Sequence, residues 1–189
     1  QEPEAQGLLA LLLFQDSRRD ARANPEGELI PLEEQDRNLW KGEFIREATV
    51  MLDAAMLMRR PGPYQIQGAI AALHANAPSA GATDWLQISA LYGALLRHVA
   101  TPVVELNAAV ALAMARGIDD GLAWIERLSV SGALDDYYLL HAARADLLRR
   151  AQRFPEARSA YEQALMRVKN GAERAYLRRR LAEVSVSGT

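Results

Sequence analysis

The sequence predicts an all-α fold, an antiparallel array of about nine helices with one short β-hairpin at most, near residues 22–32. Three observations carry that expectation. Ala supplies 34 residues and Leu 27, against 20 for Val, Ile and Thr together; Ala and Leu lose little on entering a helix, whereas β-branched side chains lose χ1 freedom. Apolar positions recur at helical spacing along most of the chain. From Thr101 onward the helical pattern also repeats itself.

The first apolar segment predicts a helix over 3–22. Pro3 suits a first turn, and Glu2 and Glu4 complement the positive end of that helix's dipole. Asn24, Pro25 and Gly27 are turn formers, and 28–32 is the one stretch that could be a strand. Helix resumes near Glu33 and runs, with a possible break at Gly42, to Arg60. Phe44, Ile45, Ala48, Met51, Leu52 and Ala55 mark its buried face. RRPGP stops it, because proline cannot continue a helix. Helices 64–76 and 85–98 follow, the second capped by Thr83 or Asp84.

An offset of 34 residues superimposes Leu106 on Leu140, Ala108 and Ala109 on Ala142 and Ala143, and Ala111 on Ala145. It also pairs Arg116 with Arg150 and Ala123 with Ala157. Thirty-four is the period of the tetratricopeptide repeat (TPR), a helix–turn–helix unit with small residues where its paired helices meet. Ala111 with Ala123, and Ala145 with Ala157, are the expected seams. Tyr161 is the expected aromatic plug, with Arg127 in that position of the degenerate first unit. A last helix, 171–184, caps the stack. The expected organisation is an N-terminal helical region at 1–60 and a TPR-like region at 61–189, packed as one unit. Because the chain begins with Gln1 rather than Met, it is expected to be a fragment of a longer protein.

The absence of cysteine excludes disulfides, Cys-ligated metals and thiol nucleophiles, and fits a reducing, cytoplasmic setting. His74, His98 and His141 show no metal-ligand spacing, and no nucleophile triad, P-loop or GxGxxG occurs. No apolar run reaches the roughly 20 residues of a membrane span. The expectation is a chain without catalytic residues, metal or cofactor and without membrane contact. The acids Glu33, Glu34 and Asp36, Asp119 and Asp120, and Asp135 and Asp136 belong to helix starts and turns. Residues 1–143 carry a net charge of −8 and residues 144–180 one of +7. The basic end admits three readings, a surface for an acidic protein, one for a nucleic-acid backbone, or a solvated helix pair, and no aromatic interleaving for stacking single strands accompanies it.

In the repeat register Glu105, Arg116, Asp146, Arg149 and Arg150 lie towards a concave face, where repeat proteins hold peptides. His74, His141 and Asn107 sit among apolar neighbours as core or inter-helix polar groups. Trp40, Trp85 and Trp124 are packing residues whose indole N–H finds a partner.

Four strings occur in order: EPEAQGLLALLLFQDSRRDAR, LIPLEEQDRNLW, RRPGPYQIQGAIAALHA and YYLLHAARADLLRR. Together they resemble the TPR-like C-terminal extension of one group of extracytoplasmic-function (ECF) RNA polymerase sigma factors, with GPYQIQGAIAALHA the most specific part. The resemblance covers essentially the whole chain. It implies a regulatory, protein-interaction domain acting in transcription initiation. The partners it implies are the protein's own sigma domains, the polymerase core or an outside regulatory protein, with DNA touched only through domains outside this chain. The alternatives are a ligand-sensing helical domain, suggested by Tyr64, Gln67, His74 and His141, and a general TPR-type peptide scaffold. The motif residues expected to make contacts are Arg18, Arg22, Asp36, Arg37, Tyr64, Gln65 and Gln67. Two further readings stay open. GPYQ is conformational if Gln65 and Gln67 satisfy loop carbonyls, and Arg18, Arg22, Asp36 and Arg37 are structural if they form an ion-pair network.

Overall fold

The computed structural model describes residues 2–186; Gln1 and the tail 187–189, the outer ends of the two expected regions, lie outside the described residues. Among the described residues the chain is all-helical: α1 (Pro3–Asp16), α2 (Gly42–Leu57), α3 (Pro63–Asn76), α4 (Trp85–Leu96), α5 (Pro102–Arg116), α6 (Ile118–Val130), α7 (Tyr138–Arg150), α8 (Phe154–Arg167) and α9 (Gly171–Val186). Proline occupies the first turn of α1, α3, α5 and α8, where its missing N–H costs nothing. Asp84 caps α4 by accepting from the Gln87 N–H at 2.9 Å, and Thr101 caps α5 through the Val104 N–H at 3.3 Å.

Three boundaries differ from expectation. The first helix stops at Asp16 rather than Arg22, because the chain tightens into a 3₁₀ turn at Arg19–Ala21. The buried Ser17 hydroxyl there bonds back to the Phe14 carbonyl at 2.8 Å. Residues 33–41 are not the start of the next helix; they form 3₁₀ turns at Leu32–Glu34 and Arg37–Leu39, and Asp36 caps the second. The hairpin expected at 22–32 is reduced to isolated bridge residues at Ala23 and Leu29, and no strand occurs among the described residues. The Ile30 N–H donates to the Arg22 carbonyl at 2.9 Å, and Pro31 ends any further ladder. So short a ribbon would be marginal alone.

The chain forms two compact units that part at Ala100/Thr101 and not at the expected 60/61. The first comprises the described residues up to Asn24 with Ile30–Ala100, the second Pro25–Leu29 with the described residues from Thr101. In the first unit α1 packs against α2 and α3, and α3 against α4. Ala10, Phe14, Ala48, Leu52 and Ala75 form its core. Gly7 on α1 lets Gln65 of α3 approach so closely that a Cβ there would stand 2.7 Å from the Gln65 backbone nitrogen. The expected division at residue 60 fails because α3 belongs to the packing of α1 and α2.

In the second unit α5 pairs with α6, α7 with α8, and α8 with α9. The seams are partly as expected. Ala111, Ala145 and Ala157 are buried, and Tyr161 is enclosed in the α7–α8–α9 core with Ala160 and Ala164. Ala123, in contrast, is exposed. The small residue at the α5–α6 contact is Gly121, where a Cβ would stand 2.4 Å from the Ala113 Cβ and 2.7 Å from the Ala109 carbonyl oxygen. Ile125, fully buried, takes the place expected for Arg127, which is exposed. The cause is the turn. One residue, Gly117 at φ +149°, joins α5 to α6, whereas Ala151, Gln152 and Arg153 join α7 to α8. The second helix of the earlier pair therefore starts two residues sooner, and the 34-residue match slips there.

Candidate functional site

The GPYQ segment is a structural joint. The Glu4 carboxylate of α1 accepts from the Tyr64 N–H at 3.0 Å and the Gln65 N–H at 3.1 Å, two donors that the start of α3 leaves free. Gln65 Nε2 reaches the same carboxylate at 3.1 Å and the Arg60 carbonyl at 2.8 Å. Gly62 makes room, for a Cβ there would stand 2.3 Å from the Glu4 carboxyl carbon. Gln65 is fully buried and therefore not a surface contact. Gln67 Nε2 bonds the Pro63 carbonyl at 3.2 Å. Of the motif's polar residues Tyr64 is the exposed one.

Arg18, Arg22 and Arg37 do come together, but not as an ion-pair network. Arg18 and Arg22 each donate to Gln15 Oε1 at 2.7 Å, and Arg22 also to the Gln15 carbonyl at 2.9 Å. Arg37 donates to the carbonyls of His74 at 3.1 Å and Ala77 at 2.8 Å, while its guanidinium lies 4.3 Å from the centre of the Trp40 ring. Arg18 approaches that ring to 5.9 Å. Asp36 turns away to bond the Asn38 backbone and amide at 2.9 and 2.8 Å. The Trp40 indole N–H is buried without a partner, contrary to expectation.

A cavity of about 190 Å³ opens beside this cluster. Leu11, Phe14 and Ile70 give it an apolar floor; Arg18, Gln67, His74 and Tyr92 supply the polar wall. Burial, with Arg22 and Arg37 close by, pulls the Arg18 guanidinium down to about 10. Burial, with Arg18 and Arg37, likewise brings the His74 imidazole down to about 4. His74 is thus neutral at pH 7, its ring edge-on to Trp85 at 5.2 Å. Burial raises Tyr92. Sequence reasoning found Arg18, Gln67 and His74 but missed Gln15 and Tyr92, which look like ordinary helix residues until α1 and α4 approach α3.

The five concave-face residues do not form one cluster. Asp146 accepts from Arg149 at 2.6 Å and Arg150 at 2.7 Å along α7. Burial pushes its carboxyl up, but the two arginines outweigh that and hold it below its ordinary value. Glu105 and Arg116 make no side-chain hydrogen bond or ion pair with any described residue, and Arg116 is exposed. Much of the positive charge of 144–180 is spent locally, with Arg153 on Glu156 at 2.6 Å and Arg158 on Glu162 at 3.1 Å. His141 Nε2 lies 3.2 Å from the Asp135 carbonyl, and Asn107 is exposed rather than between helices. Asp119 and Asp120 lie in the first turn of α6, both exposed. Among the described residues no three His, Asp or Glu side chains gather as a metal site, and no helix is long and apolar enough to cross a membrane.

Residues 1–56 match a family of unknown function, DUF6596. Over 180 residues the chain is 48% identical to an uncharacterized protein of Rhizobium meliloti (strain 1021), a match covering 95% of this chain and 42% of that protein. The chain thus spans less than half the length of this curated relative. No solved structure matches.

Proposed function

We propose that this chain is the C-terminal regulatory and protein-interaction domain of an ECF-type sigma factor, with TPR-like helical hairpins in its second unit. The observation that carries the reading is the ordered set of four motif strings, whose most specific member, GPYQIQGAIAALHA, builds the Glu4–Gly62–Gln65 joint. What the resemblance preserves is therefore a way of locking α1 to α3, as expected of a docking scaffold. The small residues Ala111, Ala145 and Ala157, buried within paired helices, favour the TPR-like description. In this reading the domain acts in the cytoplasm on its own sigma domains or on the polymerase core, and promoter DNA is contacted only by regions outside this chain. The curated relative has more than half its length outside the match, room enough for such domains.

The test is direct. Immobilised chain should retain purified core polymerase, or the sigma domains encoded in the same reading frame, in salt-stable fashion. If neither is retained, and no promoter-reading helix-turn-helix is encoded alongside, the reading fails.

A further inference from the structure

We propose that the cavity walled by Arg18, Gln67, His74 and Tyr92 binds a small organic oxyanion, a carboxylate or phosphate group carried on a compact apolar body. This assignment goes beyond the transcriptional reading and does not depend on it.

Charge is the first argument. Among the described residues Arg18, Arg22 and Arg37 have no carboxylate partner, and what they bond is neutral: one glutamine side chain and three backbone carbonyls. Elsewhere some cations sit on acids, as Lys41 on Asp20, Arg149 and Arg150 on Asp146, and Arg153 on Glu156, while Arg97, Arg167 and Arg174 bond neutral groups as these three do. Arg18, half-buried at the cavity wall, is repelled by the exposed Arg22 and the partly exposed Arg37 outside it, and an anion relieves that repulsion.

Donors are the second argument. Only one terminal nitrogen of Arg18 is bonded, to Gln15, which leaves its Nε and other terminal N–H groups without a partner. A half-buried guanidinium with unmet donors suits the paired oxygens of a carboxylate or phosphate. The neutral His74 ring makes no hydrogen bond with the described residues, so its N–H is available beside Arg18.

Shape is the third. Apolar cavities of roughly 150 Å³ accept benzene, so about 190 Å³ over Leu11, Phe14 and Ile70 admits one ring-sized body bearing an acid group. Arg18 at the wall would hold the acid while the floor holds the body.

The probes are benzoate, phenyl phosphate, inorganic phosphate and benzyl alcohol, titrated calorimetrically into the whole 189-residue chain at fixed ionic strength. A parallel arm follows the His74 ring resonances, assigned with His74→Asn. Saturable binding of benzoate or phenyl phosphate, with the His74 signals moving and benzyl alcohol inert, supports the site; which of the two binds names the acid group. Arg18→Gln should weaken that binding about ten- to a hundredfold, the loss of one charge-assisted pairing, and Arg18→Lys should restore part of it. Arg18→Gln should also melt no lower than the parent, since one of three repelling cations is gone. Failure of both organic anions to bind the parent, or binding that Arg18→Gln leaves intact, overturns the proposal. Inorganic phosphate binding as tightly as phenyl phosphate overturns the apolar half of it. Should Arg18→Gln not fold, unmoved His74 resonances in the parent at high ligand concentration decide against the site.

Discussion

One carboxylate decides how α3 begins. Glu4 accepts from two backbone N–H groups and one side-chain amide of a helix about sixty residues further along the chain. It does for α3 what a capping side chain does locally, so Glu4→Ala should cost about 1–2 kcal/mol in urea unfolding. Gly62→Ala should cost up to as much, because its methyl group would push the movable Glu4 carboxylate off the two N–H groups it caps. If both variants unfold with the parent, Glu4 is not the cap. None of this was legible locally. An acid next to Pro3 suits the dipole of its own helix, and nothing in the sequence says that its oxygens face Tyr64 and Gln65. The GPYQ string did advertise a special conformation, since proline after glycine fixes a helix start and a following glutamine can serve a loop carbonyl.

Between elements, the seam residue sets the closest approach of two helices, and the connecting turn sets which residue that is. The 34-residue repeat was legible in α5 and α7, where Leu106 and Leu140, and Ala111 and Ala145, are buried alike. It failed in the helices that follow, where Gly121 and Ile125 correspond to Ala157 and Tyr161, an offset of 36. Sequence periodicity assumes equal turns, and a one-residue turn at Gly117 breaks that assumption. Three substitutions separate the registers. Ala145→Leu overpacks the α7–α8 seam and should cost about 1–3 kcal/mol, and Gly121→Ala should cost a similar amount, since backbone at Ala109 and Ala113 must give way. Ala123→Leu, on an exposed face, should stay within about 0.5 kcal/mol of the parent. A thermal melt in which Ala123→Leu is the worst of the three would restore the uniform repeat.

Across the molecule, titration distinguishes the two units. His74 takes a proton near pH 6.5 in the unfolded chain but only near 4 in the folded first unit, where burial, Arg18 and Arg37 oppose its charge. Between those values the unfolded state binds more protons, so stability is full above about 6.5, falls as the pH drops through this window, and levels off below about 4. The shift corresponds to about 3 kcal/mol. In the second unit Asp146 is held below its ordinary value of 3.8 by Arg150 and Arg149 against burial, so its contribution persists through that window and is lost only in stronger acid. His141 leans the same way as His74, through burial, but on a more open face where solvent screens it. Hydrogen exchange read by mass spectrometry at pH 7 and pH 5, corrected for intrinsic rates, should therefore show protection falling more in α1–α4 than in α5–α9. His74→Asn should flatten that difference, because the group that charges on unfolding is gone. Equal loss in both sets of helices, unchanged by the substitution, would mean that His74 does not govern the first unit's response to acid.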